Sequence, residues 1–351
     1  MHVGIFIEES RDGVDEAEAF REAFDLAESA EAWGLDGVWL GEVHFNTTRS
    51  VMSATVVVAG AIAARTRRIR VGTAVQVLPL GNPVRMAEDA ATVDQISQGR
   101  FDFGIGRSGS PRAYDAFGIP YGESPARLAE ALEIILKAWT GERFTYHGKF
   151  YRVENAAISP RPVQRPHPPV RQAVATDETF AHAGAQGMPI FVGLRAASGL
   201  EDLRNQLKLY RDAWQKAGHP GNGDVCLRIP VYASTNERAA VEEPRATLIS
   251  FARRQAEIAR SAVGRAGAGP ADRMGARAER FANLSYDDIL KTRAACGTPV
   301  RLIDQLGELR DELGLNGLIV EPNAGGLLSM DQEKRSLELF AKEVAPALKR
   351  G

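Results

Sequence analysis

His44 closes an apolar run in the segment Gly41-Glu42-Val43-His44-Phe45-Asn46 and is one of only six histidines. Imidazole ordinarily titrates near neutrality, which suits proton transfer; a hydrogen-bonded wall residue is the plainer reading. After another apolar run comes Gly104-Ile105-Gly106-Arg107-Ser108-Gly109. Formally this is the dinucleotide fingerprint, but that motif needs a helix to open at once on its last Gly. Here Ser110-Pro111-Arg112 and Gly118-Ile119-Pro120 are expected to delay the helix. An anion cradle fits better: backbone N–H groups of Ser108 and Gly109 beside the Arg107 guanidinium, which can grip two phosphate oxygens. The alternative is a glycine-rich turn with a surface Arg. Thr176 and Thr179 fall at an expected helix start, where free N–H groups and the helix dipole attract phosphate. Capping of its own helix by Thr176 is an equally ordinary role. Ala74 and Val75 lie in a stretch of small and apolar residues that would let a flat ring rest against backbone.

Other chemistries find no support. Neither HExxH nor a Cys/His cluster occurs, so no metal is expected. Asp36, Asp94 and Asp102 have no sequence partner forming an acid–base set, and no GxSxG is present. Cys226 and Cys296 stand far apart and read as inert thiols of a reducing cytoplasm. Forty-three basic against 45 acidic side chains give a net charge of −2, which argues against a nucleic-acid partner. No apolar run reaches the roughly 18–20 residues of a membrane span, and the N-terminus lacks the features of a signal peptide. The expected location is cytoplasmic.

The elements that would carry these residues alternate along the chain. Apolar runs at 5–7, 37–40, 69–77, 101–105, 170–175, 189–193, 225–233 and 317–321 read as strands, each followed by an amphipathic helical stretch. Eight βα units suggest an α/β fold, a (β/α)8 TIM barrel, with an open doubly wound sheet as the rival. A single barrel domain over residues 1–351 would carry two insertions. One, about 143–169, holds a hairpin around 144–153 and a proline-rich connector; the other, 264–298, reads as a long lid-like loop without a clear strand. In such a barrel the active site lies where strands end and βα loops begin. His44, Ala74-Val75, Arg107 and Thr176 all stand at such junctions.

These segments together resemble the bacterial luciferase-like, flavin-dependent monooxygenase superfamily. The densest likeness is Val71-Gly72-Thr73-Ala74, Val77-Leu78-Pro79, Pro83-Val84-Arg85, Ala87-Glu88-Asp89, Gly99-Arg100-Phe101, Phe103-Gly104-Ile105 and Phe117-Gly118, and weaker matches extend it over nearly the whole chain. The resemblance implies a barrel binding reduced FMN, delivered by a separate flavin reductase, at the carboxyl ends of its strands. Oxygen would add to the ring as a C4a-hydroperoxide and pass to a small organic substrate such as an aldehyde. Arg107, Ser108, Gly109, Thr176 and Thr179 would hold the phosphate. Ala74-Val75 matches a pair carrying a non-proline cis peptide beside the ring. Gly106 falls where luciferases carry a reactive-face Cys, leaving that face uncrowded. Residues 264–298 match a mobile active-site loop, whose Arg265, Arg273, Arg277 and Arg280 could close over the flavin, and pairing of subunits as a homodimer is implied. One departure stands out: the luciferases read Glu-His-His, whereas here Val43 replaces the first His, the essential base, and leaves His44. Two alternatives follow: a deazaflavin-dependent hydride-transfer enzyme of the same superfamily, or a non-catalytic flavin-binding protein.

Overall fold

The computed structural model describes residues 1–8, 10–194, 199–266 and 271–350. Eight short strands form its centre: β1 His2–Ile7, β2 Gly37–Leu40, β3 Arg70–Thr73, β4 Phe101–Gly106, β5 Val170–Ala173, β6 Ile190–Gly193, β7 Val225–Ala233 and β8 Gly317–Glu321. Each pairs in parallel with the next, and β8 pairs with β1 (Val3 with Leu318, Ile5 with Val320), so the sheet closes into a TIM barrel. Strands covered on both faces read as unbroken apolar runs, and β2 and β8 are buried at every position. The rival open sheet is thereby excluded.

Phe6, Trp39, Phe191, Cys226 and Ile319, from five different strands, plug the barrel interior. Trp39 meets Phe191 edge-on at 5.1 Å between ring centroids. Ala74 and Val75 pack on top of this plug. Outside, helices such as Glu16–Ala32, Thr55–Arg65 and Pro83–Ile96 bury their apolar sides against the strands. Two of these starts follow capping rules: the Asp15 side chain accepts from Glu18 N–H, and that of Asn82 from the N–H groups of Val84 and Arg85.

Several sequence expectations need correction. The run 69–77 is not one strand: it breaks at a cis peptide between Ala74 and Val75, and Gln76–Val77 resumes pairing beside Ile105 and Gly106. The helical stretch after β7 is two helices, Glu237–Glu242 and Arg245–Ala262, because Pro244 between them has no N–H to donate. The closing helix widens to a π turn over Phe340–Val344 just before Pro346, for the same reason. The first helix after the glycine-rich turn opens sooner than expected, at Pro111–Phe117. Residues 264–298 are not a loop. They contain helices Ala271–Ala282 and Tyr286–Thr292, and strand Ala295–Gly297, which pairs with the end of β7; residues 267–270 lie outside the described residues. The inserted hairpin is present, Phe144–His147 against Arg152–Ala156, its turn held by the Glu130 carboxylate on the N–H groups of Lys149, Phe150 and Tyr151.

Candidate active site

A cavity of about 470 Å³ opens at the carboxyl ends of the strands, within the size range of small-molecule sites. Ala74 and Val75 form one wall, Ser108 and Gly109 another, and Ala173–Ala175 a third, with Phe191 and Ile319 of the plug as floor. Glycines on β4 make this arrangement possible. A Cβ at Gly104 would overlap the Thr73 carbonyl, and one at Gly106 would stand 2.5 Å from Val75 Cγ2. Val75 therefore packs directly against Gly106.

His44 lines the cavity. Its Nε2 lies 2.8 Å from Glu42 Oε1, while Glu42 Oε2 accepts the N–H of Val77 at 3.1 Å. The Glu42 side chain is 3% exposed. Phe117 meets the imidazole edge-on at 5.2 Å between ring centroids, and Phe45 lies tilted beside it at 5.8 Å. Glu42 thus links His44 to the strand segment that follows the cis peptide. Sequence reasoning missed that role, although the Glu-x-His spacing was available to suggest it.

The residues expected to hold a phosphate are only partly brought together. Ser108, at φ 60°, and Gly109 lie on the cavity wall. The Arg107 guanidinium instead donates to Ser124 Oγ at 3.3 Å, and Tyr114 donates its hydroxyl proton to the Arg107 carbonyl. Burial pushes the phenols of Tyr114 and Tyr121 above their ordinary pKa, with Arg107 opposing the shift at both. Thr176 and Thr179 form a reciprocal capping box on helix Asp177–Ala185, with Thr179 Oγ1 accepting from Thr176 N–H at 3.0 Å. Arg107, Thr176 and Thr179 stand outside the cavity lining, although Ala175 belongs to it and β4 and β5 are neighbours.

Of the four arginines expected to close over the site, Arg277 lines the cavity, and burial lowers its pKa below the ordinary guanidinium value. Arg265 makes a bidentate pair with Asp115, at 2.9 and 2.8 Å. Arg273 and Arg280 are exposed.

The sequence reading also missed a charged cluster in the cavity. Arg228, in the middle of β7, donates through Nε to Glu321 Oε2 at 2.9 Å, approaches Glu8 Oε2 at 3.6 Å and lies over the Phe6 ring. Glu8 also pairs with Arg49. An arginine inside an otherwise apolar strand was the one available signal. Among the described residues, no group of three or more His, Cys, Asp or Glu is placed to hold a metal ion. No helix there is long and apolar enough to cross a membrane.

Comparison with known proteins gives this site a context. A protein of Sinorhizobium fredii called uncharacterized protein y4vJ is 30% identical, covering 100% of this chain and 98% of its own length. The oxygenase component of the flavin-dependent trigonelline monooxygenase of Acinetobacter baylyi is 25% identical over 68% of this chain and 67% of that protein. The crystal structure of monooxygenase RslO1 from Streptomyces bottropensis superposes with a TM-score of 0.81 at 27% identity, covering 99% of each chain. The same fold, at 20% and 19% identity, occurs in the oxygenating constituent of 3,6-diketocamphane monooxygenase of Pseudomonas putida in complex with FMN, and in the coenzyme F420-dependent tetrahydromethanopterin reductase of Methanopyrus kandleri. Their TM-scores are 0.80 and 0.74. The model of the luciferase-like monooxygenase family matches residues 1–317, and the chain belongs to that family.

Proposed function

We propose that the chain is the oxygenase component of a two-component flavin monooxygenase. It would take reduced FMN from a separate flavin reductase and use O2 to oxygenate a small organic substrate, with an aldehyde as one such class. The observation that carries this reading is the wall made by Ala74 and Val75. It bounds a cavity with His44 on its lining and the Ser108–Gly109 turn alongside. Small side chains around a space of this size fit a flat ring, and a backbone turn next to an arginine fits an anionic tail.

In this reading Ala74 and Val75 would bear the ring, and Ser108, Gly109, Arg107, Thr176 and Thr179 would hold its phosphate, with Arg107 exchanging its Ser124 contact for it. Bound reduced flavin supplies the two electrons that activate oxygen. The protein orients the ring, keeps water away from it through the Phe191–Ile319 floor, and presents His44 for proton movement. The F420-dependent relative in the same fold motivates the second reading, hydride transfer without oxygen. Oxygen uptake coupled to substrate oxidation, with a flavin reductase and NADH present and ¹⁸O2 appearing in the product, tests the proposal. Turnover under anaerobic conditions with reduced deazaflavin, and no label incorporation with FMN, would favour the second reading.

A further inference from the structure

Glu42 and His44 are held together from three directions. The Glu42 carboxylate is buried, and one of its oxygens is fixed by the Val77 N–H at 3.1 Å. The other faces His44 Nε2 at 2.8 Å. The imidazole plane is set by Phe117 edge-on and Phe45 alongside. A carboxylate only accepts hydrogen bonds, so the proton between the two groups belongs to Nε2. The neutral ring then keeps its lone pair on Nδ1, which makes no hydrogen bond among the described residues.

We propose that Glu42 is the positioning residue of the site: it locks His44 in the Nε2–H tautomer, so that Nδ1 is the nitrogen that exchanges a proton with a molecule bound in the cavity. This rests on the reading of the cavity as the reaction site. The proton passes from an O–H or N–H of the bound molecule to Nδ1. The imidazolium so formed keeps its Nε2–H on Glu42, which offsets the new charge, and the proton then returns to the product or leaves to water at the cavity mouth. The buried carboxylate takes no proton itself.

The test combines ¹⁵N spectra of the flavin-free protein with kinetics of the reconstituted enzyme. In the wild type, at a pH where the ring is neutral, the signals that disappear in His44→Ala should show protonation at Nε2. In Glu42→Gln that preference should be lost, because an amide both donates and accepts, while its carbonyl still serves Val77. With turnover measured, Glu42→Gln should lower kcat/KM by about tenfold to a hundredfold with FMN affinity unchanged. In the His44→Ala background it should add less than about twofold, the non-additivity expected of a dyad. A wild-type ring protonated at Nδ1, or an equal loss from Glu42→Gln with and without His44, would overturn the proposal. An Nε2–H ring in a protein with no flavin-dependent turnover would uphold the geometry and overturn the functional reading alone.

Discussion

Arg228 and Glu321, on neighbouring strands of the barrel, meet with Nε 2.9 Å from Oε2 where the strands give way to the cavity. Their side chains are 15% and 3% exposed, and Glu8 stands on the other side of the guanidinium. Paired charges this far from water cost desolvation energy that their attraction roughly offsets, whereas removing one partner of the pair is strongly unfavourable. Arg228→Met should therefore lower the unfolding free energy by about 3–5 kcal/mol. The double change Arg228→Met with Glu321→Leu should recover much of that loss. Urea denaturation of the two variants checks this, and equal destabilisation by both would show that the pair does not act as a unit.

Glu333 gives the chain a pH-dependent stability. Its carboxyl is buried beside Asn323, whose Nδ2 donates to it at 3.1 Å, and burial pushes its pKa up from 4.5 to about 7. The folded chain then holds a proton that the unfolded chain releases between about pH 4.5 and 7. The stabilising contribution is complete below pH 4.5, declines through that window and is absent above it, a span of about 3 kcal/mol. Glu333→Gln, which keeps an oxygen for Asn323 but cannot ionise, should remove this part of the slope. Denaturation midpoints at pH 5 and 8 provide the measurement; an unchanged slope in the variant would contradict the assignment.

Gly106 tests the cavity wall. A methyl group there would press on the half-buried Val75 side chain, and overpacking of this kind costs about 1–3 kcal/mol. Gly106→Ala should destabilise the protein by that amount and weaken flavin binding by displacing Val75. Adding Val75→Ala should restore both properties. Thermal unfolding and flavin titration of the single and double variants read this out, and a neutral Gly106→Ala would contradict the tight contact.

The barrel was legible because its strands are covered on both faces, so residues 37–40 and 317–321 stand out as apolar runs without any knowledge of their partners. The break at Ala74–Val75 came only through the family likeness, since Thr73-Ala74-Val75-Gln76 reads locally as ordinary strand. Ala295-Cys296-Gly297 is too short and too small in side chain to register as a strand; it becomes one by pairing with Val231, Tyr232 and Ala233. The same limit applies to the site. Position at a strand end singled out His44 and Arg107, but the direction of a side chain is decided by tertiary neighbours. Arg107 turns to Ser124, and Glu8, Arg49, Arg228 and Glu321 meet only because the sheet closes. Glu42 was in plain view two positions before His44, yet its function depends on Val77, which the fold brings to it.

The central claim is that the cavity at the Ala74–Val75 wall binds reduced FMN with its phosphate held by Arg107. Anaerobic equilibrium titration with reduced FMN and reduced riboflavin, on the wild type and on Arg107→Ala, tests it most directly. Charge-assisted hydrogen bonds to a phosphate are worth about 1.5–3 kcal/mol. The wild type should therefore bind FMN about tenfold to a hundredfold more tightly than riboflavin, and Arg107→Ala should lose most of that difference while still binding riboflavin. Equal affinity of the wild type for the two flavins, or an FMN preference that survives Arg107→Ala, would contradict the account.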